Sequence, residues 1–111
     1  MRPSRGGALR GSAPVFAALG DENRLRLVSK LCARGPLSIA DLSKGERITR
    51  QAVTKHLHAL AEAGLARGLR RGREQVWQLE PRRLEAARGY LDQISNHWDR
   101  ALDRLRAMVE R

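Results

Sequence analysis

Residues Leu37 to Gly64 read LSIADLSKGERITRQAVTKHLHALAEAG, the pattern of two helices joined by a short polar turn. Ser38 is placed to cap the first helix, with Asp41 three residues on as the shorter acid of a capping box. Ile39, Ala40 and Leu42 give that helix its apolar face, and Gly45 stops it, because glycine takes a left-handed cap at little cost. Thr49 caps the second helix, Thr49 to Glu62, in which Ala52, Val53, Leu57, Leu60 and Ala61 recur at helical spacing. Its other face carries Arg50, Gln51, Thr54, Lys55 and His58, a set of donors with no carboxylate before Glu62. A helix with that face, one turn away from a supporting helix, suits the major groove of DNA.

The whole chain has the charge for such a partner. Its 111 residues make one domain with a modest core, and 22 Lys and Arg against 12 Asp and Glu leave a net charge of +10. Neutralised phosphates release condensed counterions, so this balance favours a polyanion. A membrane surface is the competing polyanion, but no stretch approaches the roughly 20 apolar residues of a spanning helix. The N-terminus lacks the apolar core of a secretion signal, so the expected location is cytoplasmic. The single cysteine, Cys32, excludes an internal disulfide framework and a self-contained thiolate zinc site. Aromatics at 4% leave little to stack on unpaired bases. An enzyme has no footing here: there is no phosphate-binding glycine loop and no nucleophile paired with a base.

Outward from the central stretch, the composition of residues 1–11 (MRPSRGGALRG) predicts a disordered basic tail. The alternative is a basic arm that touches phosphates or a minor groove. Ser12 is expected to cap a short helix through Leu19, with Gly20 ending it. Asp21 caps the next, DENRLRLVSKLCARG, where Leu25, Val28, Leu31 and Cys32 share a stripe beside Leu27. On that stripe Cys32 reads as a small core residue.

After Gly64 the period changes from helical to alternating. Leu65–Arg70 and Gln75–Leu79 read as two strands around Gly72, with Leu69, Trp77 and Leu79 as anchors to the core. Arg67, Arg70, Arg71 and Arg73 crowd this ribbon, a concentration of like charge that calls for an anion. Glu80-Pro81 then opens a last helix, about 81–110. Its apolar residues Leu84, Ala87, Leu91, Ile94, Trp98, Ala101, Leu105 and Met108, widened by Leu102, alternate spacings of three and four. That is a heptad seam, and a second chain is its expected partner. Gly89 marks a kink or a close approach. The fold class is therefore mainly α with a small β-hairpin: a winged helix-turn-helix with a long C-terminal dimerisation helix, over residues 12–111.

FAALGDENRLRLVSKL, GPLSIADLSKGERITRQAVTKHLHALAEAGL and RRGREQVWQLEP, in this order, resemble the ArsR-like family of bacterial winged-helix transcriptional repressors. The resemblance covers Val15 to Pro81, and the terminal helix more loosely. It implies a homodimer held by the first and last helices, in which Phe16, Leu91, Ile94, Trp98, Leu102 and Leu105 take part. It also implies that Thr49, Arg50, Gln51, Thr54 and Lys55 read double-stranded DNA, and that Arg71 and Arg73 approach the flanking minor groove. The residue chemistry agrees. Arg50 suits guanine and Gln51 adenine, Thr49 and Thr54 suit phosphates or either base type, and Lys44 and Lys55 suit phosphates. His56 faces the core, and His58 reaches at best the DNA backbone.

Many members of that family sense metals, and here the chain departs from their patterns. One class has a cysteine pair where this sequence has Ser38, Ile39, Ala40 and Asp41. Another uses carboxylates and histidines of the terminal helix, where Asp92, His97, Asp99 and Asp103 include a single histidine and no Asp-x-His start. Zinc wants about four ligands in tetrahedral array. Asp99 and Asp103 are instead expected to pair with Arg104 and Arg100 on the surface. The expectation is the metal-independent branch, with no metal, no cofactor and no effector assigned. The competing readings are a metal-responsive repressor with an unrecognised site, a non-specific architectural nucleic-acid-binding protein, and a protein-interaction module built on the heptad helix.

Overall fold

Three polar side chains set where helices begin, and each does so with a bond to the third amide beyond it. Asp21 accepts from the Arg24 amide at 3.1 Å, Ser38 from Asp41 and Thr49 from Ala52 at the same distance. The computed structural model describes residues 5–110, with side chains over 11–110. Its helices are α1 (Arg5–Leu19), α2 (Glu22–Arg34), α3 (Ile39–Ser43), α4 (Arg50–Glu62) and α5 (Pro81–Val109). Its strands are β1 (Leu37–Ser38), β2 (Ala66–Arg71) and β3 (Glu74–Leu79).

The strands form one antiparallel sheet in the order β1-β3-β2. Arg71 pairs with Glu74, so the turn is Gly72-Arg73, and Gly72 stands at φ 65, which is why glycine occupies it. The two long strands agree with the hairpin expected from alternation. β1 was not expected: Leu37 pairs with Trp77 and Ser38 with Val76, which attaches the wing to the segment that starts α3. Two residues are too few to show a period.

Val15, Leu27, Leu42, Val53, Leu57, Leu60 and Leu65 are fully buried where α1 to α4 meet the sheet. Burying such a side chain is worth about 1.5–3 kcal/mol relative to leaving it in water. Two expectations for α2 are corrected. Its inward face is Leu27, Val28 and Leu31, while Leu25 is 48% exposed and Cys32 is exposed. The buried face is centred on Leu31, between Leu27 and Val28 on the helix, which leaves Leu25 and Cys32 at the margin turned toward solvent. Trp77 anchors the wing as expected, with Leu79 packed half-buried against the core. Leu69 is only half-buried and outside that cluster, and Val76 is a buried residue the alternation did not single out.

α1 starts earlier than Ser12. Residues 5–11 are helical where composition alone predicts a disordered tail; residues 1–4 lie outside the described residues. α1 as a whole packs against α5, and tertiary packing of this kind overrides weak local helix propensity. Ser12 is accordingly a buried mid-helix residue at 1% exposure instead of a cap.

α5 is 29 residues long, about 43 Å at 1.5 Å per residue. Its first turns are spent on the chain's own core: Ala87 is buried, Leu84 is half-buried, and Tyr90 meets Phe16 with ring centroids 6.1 Å apart. Beyond that it projects, and the radius of gyration is 18.1 Å, against about 13 Å for a compact domain of this length. The helix continues through Gly89, where an added Cβ would meet nothing within 4 Å, so no close approach is made there within the chain. The expected pairs of Asp99 and Asp103 with Arg104 and Arg100 are not formed; the ion pairs among the described residues lie elsewhere.

Candidate nucleic-acid interface

The N-terminal half of α4 is an exposed basic face held from behind. Val53, Leu57 and Leu60 fix the inner side, leaving Arg50, Gln51 and Lys55 exposed on the outer one. Thr49 spends one acceptor site on its cap, and its hydroxyl proton remains for a phosphate. Thr54 differs. Its hydroxyl donates to the Arg50 carbonyl at 2.9 Å, so what it offers outward is an acceptor and a methyl group.

Lys44 stands at the C-cap of α3, 76% exposed, with its ammonium 3.3 Å from Asp41. The Lys44 side chain, and next the Ser38 hydroxyl that donates to Asp41 at 3.1 Å, hold the Asp41 carboxyl below its ordinary value. Asp41 thus closes the capping box on the serine hydroxyl rather than on its backbone amide. Asp21 is likewise held low, chiefly by the Arg24 amide.

The wing presents a second basic group. Arg71 and Arg73 flank Gly72 at its tip, both exposed, with Arg70 one residue behind. Arg67 is committed within the chain although exposed: its guanidinium lies 3.6 Å from Glu80, and the Gln78 amide, turned with its oxygen toward Arg67, accepts at 2.9–3.0 Å. Of the wing arginines, Arg70, Arg71 and Arg73 therefore remain without an ion pair among the described residues.

Several supporting groups escaped the sequence reading. Lys30 of α2 donates to the carbonyls of Leu42 and Lys44 at 3.0 and 2.9 Å and stands 3.1 Å from Glu46, whose side chain is 5% exposed. Arg26 backs the same carboxylate at 3.7 Å. Together they fasten the α3–α4 turn to α2, sixteen residues back in sequence, and no local pattern announces that. Arg47 is a further exposed cation in the same turn, without an ion pair among the described residues. Its only signal in the sequence is its place in the polar turn GERIT, immediately before the Thr49 cap. His56 accepts from Arg24 Nε at 3.2 Å, in keeping with its inward reading, whereas His58 lies against Trp77 of the wing, centroids 5.7 Å apart. Among the described residues, no group of three or more His, Cys, Asp or Glu side chains could hold a metal ion. No helix of the described residues is long and apolar enough to cross a membrane.

A helix-turn-helix whose second helix and wing turn unpaired cations and amide donors outward defines a DNA-binding regulator, and comparison with known proteins agrees. A helix-turn-helix domain model matches residues 19–68. The HTH-type transcriptional regulator Rv2034 of Mycobacterium tuberculosis is 38% identical over 88 residues, covering 79% of this chain and 78% of that protein. The arsenical resistance operon repressor of Bacillus subtilis is 32% identical over 65 residues, covering 59% of this chain and 62% of its own length. The solved structure of an ArsR-like transcriptional regulator from Rhodococcus sp. RHA1 superposes with a TM-score of 0.76 at 33% identity, covering 92% of this chain and 95% of that one. The chain belongs to the ArsR-like family of winged-helix transcriptional regulators. It is a DNA-binding protein and not an enzyme.

Proposed function

We propose that this regulator is a homodimeric repressor that binds a palindromic operator through Thr49–Glu62 of each copy, with the two wings on the flanking phosphates and minor groove. The observation that carries the dimer is the far part of α5. Leu91, Ile94, Trp98, Leu105 and Met108 are 46–70% exposed along one heptad seam, with Leu102 at 36% beside them. Six large apolar side chains left in water on a projecting helix are a surface made for another helix. Phe16 contributes only the part of its ring that Tyr90 leaves open. Pairing two copies duplicates the reading face, and half-sites about 34–36 Å apart, one helical turn, follow.

On the reading face, Arg50 and Gln51 select bases and Lys44, Thr49 and Lys55 hold phosphates, with Arg71 and Arg73 outside them. Thr54 contributes an acceptor or a methyl contact. The signal that releases the operator is not a thiolate-bound metal or metalloid. Soft ions want several thiolates, and Cys32 stands alone on the exposed face of α2.

Competition binding on the DNA upstream of its own gene tests this reading. Arg50→Ala is expected to relax base preference by about 1–3 kcal/mol at one position of each half-site. Lys55→Ala is expected to weaken all sequences alike and to lower the salt slope by about one. Equal affinity of the native protein for any duplex of the same length overturns the proposal in favour of a non-specific architectural protein.

A further inference from the structure

At the far end of the reading elements lies a cleft of about 500 Å³ lined by Gly64, Arg67, Glu80, Arg82 and Arg83. We infer that this cleft binds a small, multiply charged anion, of the phosphate-bearing or polycarboxylate class. Its lining holds three arginines and one glutamate, and the carboxylate of that glutamate, Glu80, is taken by Arg67 at 3.6 Å. Arg82 and Arg83 have no carboxylate partner among the described residues and stand next to each other in the chain. Arginine side chains around an open cleft suit a ligand with several anionic oxygens bound in fork geometry.

The cleft is built rather than merely crowded. Arg83 lies across Gly64, where an added Cβ would come within 2.9 Å of Arg83 Cγ, and its Nη1 reaches Gly11, 3.4 Å from a Cβ placed there. Gly64, at φ 79, therefore serves both the turn and the passage of the arginine stem. A volume of about 500 Å³ falls within the range of ligand sites.

Its place argues for a free ligand over DNA. Gly64 lies 15 residues beyond Thr49, about 22 Å along α4, and Arg67 is five residues from Gly72, about 16 Å down the wing. Both elements that carry the reading face thus reach the cleft with their opposite ends. The cleft joins the end of α4, the base of the wing and the start of α5, so an anion held by Arg82 and competing with Glu80 for Arg67 would bias the wing against the long helix. That consequence rests on the proposed operator reading; binding itself does not.

Titration of the full chain with sodium pyrophosphate and, separately, citrate tests the inference at constant ionic strength, with chloride as control and amide chemical shifts as readout. The expected result is saturable shifts at Gly64, Arg67, Arg82 and Arg83 with little change at Arg50, Arg71 and Arg73. Arg82→Gln is expected to weaken binding about tenfold, as for loss of one charge-assisted hydrogen bond. Shifts that are linear in anion, or spread equally to the wing tip, overturn it as general counterion binding. A lowered salt slope for operator DNA in Arg82→Gln also overturns it, because the cleft would then be a DNA contact.

Discussion

Lys30 Nζ stands 3.1 Å from Glu46 Oε1, and through that pair α2 holds the turn that aims the recognition helix. The same ammonium donates to two carbonyls on either side of the α3 C-terminus, so one side chain fixes three points of the turn. Lys30→Met leaves a nearly buried carboxylate with only Arg26 at 3.7 Å. The expected loss is about 1–3 kcal/mol in urea unfolding, with operator affinity falling further than the fraction folded explains. Adding Glu46→Gln to Lys30→Met should recover part of the stability, because the uncompensated charge goes. An unchanged unfolding midpoint in Lys30→Met would show that the pair does not hold the turn.

Thr49 combines a structural bond with a position on the reading face. Thr49→Ala is expected to cost about 1 kcal/mol of stability through the lost Ala52 cap. Thr49→Ser keeps the hydroxyl and should retain both the stability and the operator affinity. If serine fails to rescue binding while restoring the unfolding midpoint, the methyl group rather than the hydroxyl meets the DNA.

The seam of α5 predicts its own disruption. Trp98 is 65% exposed in the single chain. Trp98→Glu is expected to convert a dimer to a monomer in sedimentation, with far-ultraviolet circular dichroism of the winged-helix region retained. Operator binding should drop by far more than tenfold, since each half-site is then held alone. A dimer that survives Trp98→Glu and Ile94→Glu together would place the interface elsewhere.

Acid stability follows from two carboxylates. Asp21 and Asp41 are held below their ordinary value of 3.8, the first by the Arg24 amide and the second by Lys44 and Ser38. For a carboxyl depressed in the folded state, the stabilisation is fully present above the ordinary value. It is lost as pH falls through the lower folded one. Unfolding midpoints measured from pH 6 down to pH 2 should therefore fall most steeply below about pH 4, and less steeply in Asp21→Asn/Asp41→Asn. Parallel curves for the native and doubly substituted proteins would remove these two groups from the account.

What the sequence made legible was whatever is local or periodic. Ser38, Thr49 and Asp21 announced their helices because a cap acts within three residues, and the α5 seam announced itself by spacing alone. Contacts between distant segments stayed hidden: Lys30 with Glu46, Arg24 with His56, and Leu37 with Trp77 have no signature in either partner's neighbourhood. The stripe of α2 was misread for the same reason. Leu25 and Leu27 are both plausible inward residues until the neighbours of that helix are placed, and the sheet and α4 decide for Leu27. In the reading face, residue types pointed to DNA, but the commitment of Thr54 to its own helix required coordinates.

Ser38 caps α3 and, as part of β1, pairs with Val76 in the wing. One residue thus belongs to both arms of the proposed DNA-binding surface, and the short strand acts as a hinge that has been closed. The wing cannot swing freely about its base, and under the proposed function it would meet the duplex already set at one angle to α4. Under that proposal little conformational freedom is left for the wing to lose on docking, so a duplex whose flanking groove has the wrong width is expected to be rejected by shape as well as by charge.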